Sequence, residues 1–157
     1  MRHPGKIAAL AIVAAAILTP SAAYAATVQS NLVDGSVTTS GTTCNWTNAA
    51  TSADPPATAT VDGSTVKLTC DDGTPVTLNN SPVISFDDAA GTGTADAINI
   101  TATKLGQTCT YEATNVTLNR DGDTRNYAGG PFTANKTDGS ILCPSTATLD
   151  TASVAFH

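Results

Sequence analysis

The sequence predicts an all-β protein: an antiparallel β-sandwich of immunoglobulin-like architecture or a distorted β-barrel, held by two disulfides. Short runs of Thr, Val and Ala alternate between polar and apolar residues, which is typical of strands with one buried face. Turn signals recur about every 8–12 residues, and no helical periodicity is visible after residue 26. The chain also has four cysteines, and an even number in an exported chain indicates disulfides.

The segment 57–70 shows the strand pattern most clearly. Two alternating runs flank Asp62-Gly63, a pair that favours a two-residue hairpin turn. In that register Ala59 pairs with Val66, and one face of the hairpin is apolar. The residues expected on the buried face are Ala59, Val61, Val66, Leu68 and Cys70.

Other strands follow the same rules in chain order. Two strands, 27–33 and 36–40, are expected around Asp34-Gly35, followed by a strand with Cys44 and Trp46 on one face. The remaining strands are expected at 75–78, 83–86, 95–103, 109–113, 115–119, 124–128, 132–137 and 147–156.

Two later segments interrupt this pattern. Residues 87–94, DDAAGTGT, are the most loop-like stretch in the middle of the chain, so a junction between two halves is expected near 88–94. In the last strand the apolar residues move from odd-numbered to even-numbered positions between Leu149 and Ala152. That change predicts a β-bulge, which inserts one extra residue into a strand.

Residues 1–25 are expected to be a signal peptide. Arg2 and Lys6 form a basic start, residues 7–18 are apolar, and small residues precede an expected cleavage site near Ala25. The apolar run is shorter than the ~20 residues that span a membrane, and no second apolar run follows it. We therefore expect a secreted, extracellular protein without a membrane span.

The remaining chain, residues 26–157, is expected to be a single acidic domain. The whole sequence has 7 Lys+Arg and 13 Asp+Glu; without Arg2 and Lys6, 5 basic residues face 13 acidic ones, a net charge of −8. Such a charge repels nucleic acid and anionic lipid headgroups, which argues against partners with phosphate backbones. We expect a monomer or a weakly self-associating protein.

The four cysteines allow three pairings, and a short internal repeat, called the echo below, favours one of them. Residues 41–46 read GTTCNW and residues 106–111 read GQTCTY, and each copy is followed by one further cysteine. If the two halves are related, each cysteine of the echo pairs with the next one along the chain. The alternative is a chance similarity over six residues. The favoured pairs are Cys44–Cys70 and Cys109–Cys143.

Few residues point to catalysis. Histidine occurs only as His3, in the expected signal peptide, and as His157, at the last position of the sequence, where a chain tends to fray. With the cysteines expected in disulfides, neither a thiolate nucleophile nor a zinc site has its ligands. We therefore expect a protein that is not an enzyme and that needs no cofactor.

Carboxylates offer two weaker alternatives. A hydrolase would need two carboxylates that face each other across a cleft. The available carboxylates are Asp71-Asp72, Asp87-Asp88 and Glu112. Neighbouring Asp residues in turns, however, usually only solvate the turn. Alternatively, two Asp pairs could gather at one end of a sandwich and bind Ca²⁺ loosely. The candidate ligands are Asp71, Asp72, Asp87 and Asp88.

The Ala-rich signal, the Ala/Thr/Gly/Asp composition, the low Lys content and the four cysteines resemble small exported, disulfide-stapled β-proteins of actinobacterial type. Among these, the enediyne-carrying apoproteins are similar in size, acidity and two-disulfide sandwich form. Their bridges close short loops, whereas the pairs favoured above would close long ones. The resemblance therefore implies export and architecture, and the ligand site of those apoproteins is not carried over.

From these observations we expect a non-catalytic binding module for a glycan, a cell-wall component or a small apolar ligand. Exposed aromatic side chains would bind it, and Tyr127 and Phe132, beside the bend at residues 129–131, are the candidates. The alternative is that both are core residues. A structural or surface-assembly protein is the second hypothesis, because Thr-rich edge strands can associate. A carboxylate-based hydrolase is the third.

Overall fold

The computed structural model describes residues 31–157, and the expected signal peptide lies outside them. No helix occurs among the described residues, and all strand pairs are antiparallel. The strands are β1 (Leu32–Thr39), β2 (Thr42–Ala50), β3 (Ala59–Thr60), β4 (Thr69–Cys70), β5 (Val76–Leu78), β6 (Val83–Asp87), β7 (Thr92–Lys104), β8 (Gln107–Arg120), β9 (Asn126–Gly129), β10 (Phe132–Gly139), β11 (Thr146–Leu149) and β12 (Thr151–Phe156).

The long hairpin of β7 and β8 organises the sheet. Near the turn of this hairpin, β7 pairs with β5 and β8 with β10; toward its open end, β7 pairs with β6 and β8 with β9. From β9 the sheet continues through β12, β1 and β2 to β4. The sheet folds back so that side chains of β1, β2 and β12 pack against those of β6, β7 and β8.

The predicted all-β antiparallel fold is confirmed, and the architecture is the sandwich rather than the barrel. The sheet path begins at β3 and ends at β4, which do not pair with each other. An isolated bridge between Thr51 and Val61 links the end of β2 to the chain after β3, but no continuous ladder closes the sheet.

An aromatic cluster fills one end of the sandwich. Phe86 on β6, Tyr127 on β9 and Phe156 on β12 have ring centroids 5.2–6.1 Å apart, in tilted or edge-to-face contacts. Gly93 on β7 makes room for this cluster, because a Cβ at that position would lie 3.0 Å from a ring carbon of Phe86. Three of the six aromatic side chains of residues 31–157 therefore lie together at the end where β6 turns into β7.

Both disulfides have the pairing that the internal echo favours. Cys44–Cys70 links β2 to β4, and Cys109–Cys143 links β8 to the segment between β10 and β11. Their sequence separations are 26 and 34 residues. On the chain-entropy model, closing loops of this length stabilises the fold by about 3–4 kcal/mol each.

The two copies of the echo lie at equivalent places in two hairpins. β1 and β2 are joined at Ser40-Gly41, and β7 and β8 at Leu105-Gly106. All four turn residues have a left-handed backbone, with φ between 48° and 82°. Such turns match the twist of the flanking strands. The echo therefore marks two hairpins of the same form, each with a disulfide cysteine three residues after its turn glycine.

The hairpin predicted at Asp62-Gly63 is wrong, although its expected buried face is correct. β3 pairs with β6 and β4 pairs with β2, so the two runs do not pair with each other. Asp62 forms a local turn instead: its carboxylate accepts the Ser64 N–H at 3.0 Å and its carbonyl accepts the Thr65 N–H at 3.0 Å. On the expected face, Ala59, Val61, Val66 and Cys70 are buried and Leu68 is half-buried.

Two predicted breaks between strands do not occur. Residues 27–30 of the predicted strand 27–33 lie outside the described residues, but at Asp34 the chain does not turn; β1 continues through it, and a bulge shifts the pairing of β1 with β2 between Val33 and Gly35. The predicted strands 109–113 and 115–119 are both part of β8. Asn115, within β8, has φ 52°, which changes the side-chain parity without ending the strand.

Two further boundaries differ from the prediction. Residues 87–94 do not form a long loop, because β6 extends to Asp87 and β7 begins at Thr92. The parity change between Leu149 and Ala152 is not a bulge within one strand. It marks the passage from β11, which pairs with β10, to β12, which pairs with β1 and β9.

Candidate ligand-binding cavity

An apolar cavity of about 110 Å³ lies between the two layers of the sandwich. Residues of β1, β2 and β12 form one wall, and residues of β5, β6, β7 and β8 form the other. Two serines at the wall, Ser36 and Ser153, hydrogen bond to each other through their hydroxyls at 2.9 Å. The apolar lining includes Val37, Trp46, Leu68, Leu78, Ile98 and Ile100.

The cavity is lined mainly by branched aliphatic side chains that do not fill the space between the layers. Its aliphatic lining is incompletely covered: Val37, Leu68, Leu78, Ile98 and Ile100 are all only half-buried although they face the interior. Protein interiors are otherwise close-packed, with few voids larger than a water molecule. An apolar space of this size is comparable to cavities that stay dry and bind small apolar molecules.

Trp46 closes one side of the cavity and is the chain's only tryptophan. Its ring packs against Gly35 on β1, where an added Cβ would be 2.1 Å from the ring atom Cζ2. The indole Nε1 is buried and has no hydrogen-bond acceptor among the described residues. A buried N–H without an acceptor costs about 1–3 kcal/mol, and buried tryptophans usually have one.

This packing gives a first testable prediction. Gly35→Ala should destabilise the protein by about 1–3 kcal/mol, because the new methyl group must displace the Trp46 ring in a packed interior. Urea unfolding followed by circular dichroism measures this change. Gly41→Ala, in the β1–β2 turn, has no atom within 4 Å of the new Cβ but has φ +82°, so it gives the cost of backbone strain without overpacking. Gly35 has no positive φ, so its substitution measures overpacking alone. A stability of Gly35→Ala equal to that of the wild type would contradict the packing.

A polar groove of about 430 Å³ adjoins the cavity and shares two of its lining residues, Val66 and Leu78. The groove lies between the turn at residues 62–67 and the segment after β5. Lys67 lies on its rim, with its ammonium donating to the Ser64 carbonyl at 2.8 Å. An apolar interior next to a groove with polar side chains suits a ligand that is mainly apolar and carries a polar end.

The structure does not expose the two aromatic residues that the sequence suggested. Tyr127 is 3% exposed and belongs to the aromatic cluster. Phe132 is half-buried and packs against the core, with its ring beside Gly129. The expectation that both present exposed aromatic faces is therefore wrong. The reason is that inward-facing positions of β9 and β10 carry these rings, and a thin core needs their volume.

The four candidate calcium ligands do not come together. Asp71 and Asp72 follow β4, where Asp72 forms an ion pair with Lys104 at 3.0 Å near the β7–β8 turn. Asp87 and Asp88 lie at the other end of β7, where Asp88 pairs with Arg120. Within residues 31–157, no three His, Cys, Asp or Glu side chains lie close enough together to hold a metal ion.

Glu112, Asp34 and His157 also have structural partners. Glu112 accepts from the Asn99 side-chain amide at 3.4 Å. The Asp34 carboxylate accepts the Asn48 N–H at 2.7 Å, and this bond, more than the nearby imidazole of His157, holds the pKa of Asp34 below its usual range. The His157 Nε2 lies 3.2 Å from the Asp34 carboxylate. These contacts anchor the end of β12 beside β1.

Asp72 gives a pH-dependent prediction. Hydrogen bonds from Thr74, and then from Lys104 and Thr42, hold the pKa of Asp72 far below its usual 3.8. Because the folded pKa is depressed, the contribution of Asp72 to stability is complete above about pH 4 and is lost as the pH falls below it. Asp72→Asn should therefore flatten the decrease in Tm between pH 4 and pH 2. An unchanged slope would mean that these bonds do not stabilise the folded state.

No family model, curated protein sequence or solved structure matches the chain significantly. Residues 31–157 include no helix that is long and apolar enough to cross a membrane. The functional interpretation therefore rests on the geometry of the cavity.

Proposed function

We propose that the protein is a small secreted, non-catalytic binding module that takes a small apolar ligand into the interlayer cavity. The observation that supports this most strongly is the cavity itself: about 110 Å³ lined by aliphatic side chains and Trp46, in a sandwich whose other end is filled by aromatic rings. Of the ligand classes expected from the sequence, a small apolar molecule fits this lining best. Glycans bind to polar groups and exposed aromatic faces, and of the two aromatic candidates for that role Tyr127 is in the core and Phe132 is half-buried against it.

Secretion is supported by the expected signal peptide and by the disulfides. All four cysteines are paired, and none is free among the described residues. Disulfides persist in oxidising compartments and are rare in the cytosol. A secreted carrier of a small apolar molecule would also gain from an acidic, soluble surface, which the net charge of −8 provides.

The lining of the cavity presents only apolar atoms to a ligand. The indole Nε1 of Trp46 is enclosed and does not reach the cavity surface, so it is not available to an acceptor on the ligand. A ligand without polar groups should therefore bind better than one of similar size that carries a carbonyl oxygen, because burying an unpaired carbonyl costs free energy. Methylcyclohexane should bind more tightly than cyclohexanone, as measured by ligand-observed NMR.

Benzene is the simplest probe of the cavity. Saturable binding should raise the Tm with increasing benzene concentration, because a ligand that binds only the folded state stabilises it. Ala152→Leu, which places a larger side chain in the cavity, should abolish this increase. The matched control is Ala155→Leu, three residues along β12, where the side chain is outside the cavity lining.

The outcomes of this experiment are distinct. An increase in Tm that is lost in Ala152→Leu and kept in Ala155→Leu supports the proposed site. No increase in the wild type, or an equal increase in both variants, contradicts it. Near-ultraviolet circular dichroism of each variant without benzene shows whether the substitution itself has disturbed the packing of the core.

A further inference from the structure

Three exposed aliphatic side chains project from the end of the sandwich opposite the aromatic cluster. Leu105, in the β7–β8 turn, is 95% exposed; Ile141 and Leu142, in the loop after β10, are 94% and 71% exposed. The Ser140 N–H donates to the Thr108 carbonyl at 3.2 Å, which places this loop beside the β7–β8 turn. We refer to Leu105, Ile141 and Leu142 as the aliphatic tip.

The backbone at Leu105 does not favour leucine. Its φ is 51°, a left-handed conformation that is unfavourable for a bulky side chain and is normally taken by Asn, Asp or Gly. The equivalent turn residue in the β1–β2 hairpin is Ser40, a small polar residue. Leu105 gains no packing in return, since it is almost fully exposed. Strained residues of this kind are concentrated at functional sites.

The second part of the aliphatic tip is held rigidly. Cys143 follows Leu142 directly and is bound to Cys109 on β8. Two hydrogen bonds to Ser140 close the turn: its carbonyl accepts the Cys143 N–H at 3.0 Å, and its hydroxyl accepts the Leu142 N–H at 3.2 Å. Because the turn is already ordered, little conformational entropy is lost when its side chains bind a partner.

The size and charge of the tip indicate what it binds. Three projecting side chains cannot supply the ~800 Å² that each partner buries in a stable protein interface, whereas a lipid bilayer accepts a convex aliphatic tip without a matching pocket. One lysine lies behind the tip, where lipid phosphates would be: the Lys136 ammonium donates to the Ser140 carbonyl at 3.3 Å. Lys104, which precedes Leu105, is already neutralised by its ion pair with Asp72. The net charge of −8 disfavours an anionic bilayer.

We propose that the aliphatic tip inserts into the surface of an uncharged, phosphatidylcholine-like bilayer and docks the protein there. The proposal does not depend on the interlayer cavity, because the tip residues do not line it. Docking of this kind is reversible and leaves the sandwich intact above the headgroups.

Co-sedimentation of the secreted protein with phosphatidylcholine vesicles tests this proposal. Ile141→Ser combined with Leu142→Ser should lower the partition coefficient about tenfold or more. Leu105→Asn should lower it about threefold or more and at the same time raise the Tm, because asparagine suits the left-handed turn better than leucine does. These opposite changes exclude a folding defect as the cause. Ser40→Asn, in the equivalent turn, is the matched control and should not alter partitioning.

Several results would overturn the proposal. One is a wild type that remains in the supernatant with phosphatidylcholine vesicles, or that sediments only when phosphatidylglycerol is added. Another is equal partitioning of the tip variants and the wild type. A third is a wild-type dimer in sedimentation velocity without lipid that the tip variants dissociate, which would make the tip a contact between two copies of the chain.

Discussion

Replacing both Cys109 and Cys143 by alanine is expected to lower the free energy of unfolding by about 3–4 kcal/mol. The bridge closes a loop of 34 residues, and opening it increases the conformational entropy of the unfolded chain. The change is large compared with the total stability of about 5–15 kcal/mol that is usual for a single domain. Urea unfolding of the variant and of the oxidised wild type, followed by circular dichroism, measures the difference.

The Cys44–Cys70 bridge provides the internal comparison. It closes a loop of 26 residues, so its removal should have nearly the same entropic effect. It joins directly opposed residues of β2 and β4, whereas Cys109–Cys143 holds the segment that carries Ile141 and Leu142. Loss of less than about 1 kcal/mol from either pair would show that the bridges do not supply the stability assigned to them.

Phe156→Ala is expected to destabilise the protein by about 3–5 kcal/mol, the range for truncating a buried phenylalanine. Phe156 is 4% exposed and contacts both other rings of the aromatic cluster, at 5.5 Å and 6.1 Å between centroids. Removing the ring also removes both of these ring–ring contacts. Phe132→Ala is the matched comparison, and its smaller effect should reflect the half-buried position of that ring.

Urea unfolding measures both phenylalanine variants under the same conditions. If Phe156→Ala costs no more than Phe132→Ala, the aromatic cluster does not stabilise its end of the sandwich as the structure indicates.

The alternation of residues predicted which side chains are buried better than it predicted which strands pair. In the segment 57–70 the expected face is correct because it depends on local geometry, namely the period of two along an extended chain. The pairing was wrong because Asp62-Gly63 satisfies its turn locally, which leaves β3 and β4 free to pair with distant strands. Strand partners depend on long-range contacts that a local pattern does not contain.

The disulfide pairing was predictable for a different reason. The repeated sequence around Cys44 and Cys109 reflects two hairpins with the same kind of turn, so the echo contained three-dimensional information. The transition from β11 to β12 is also visible in the sequence, as the change in which alternate positions are apolar after Leu149. The sequence alone, however, did not distinguish a change of strand partner from a bulge.

The candidate site could be predicted only in part. The sequence indicates that Leu68, Ile98 and Ile100 face inward, and it shows that the core is poor in large residues. A core that is poor in large side chains contains a cavity only if its two layers stay far enough apart, and that distance is set by the whole sheet. The role of Trp46 was also not visible, because it depends on Gly35 of the neighbouring strand. A glycine opposite a lone tryptophan was the one available signal.

Xenon binding in a crystal tests the central claim most directly, because xenon occupies dry apolar cavities and is located by its scattering. Under xenon pressure we expect one strong site between the layers, in contact with Val66, Ile98 and Leu149. The same crystals of Ala152→Leu should lack it. A wild-type crystal with no xenon at this position, and with the side chains of the two layers packed against each other, would contradict the existence of the ligand-binding cavity.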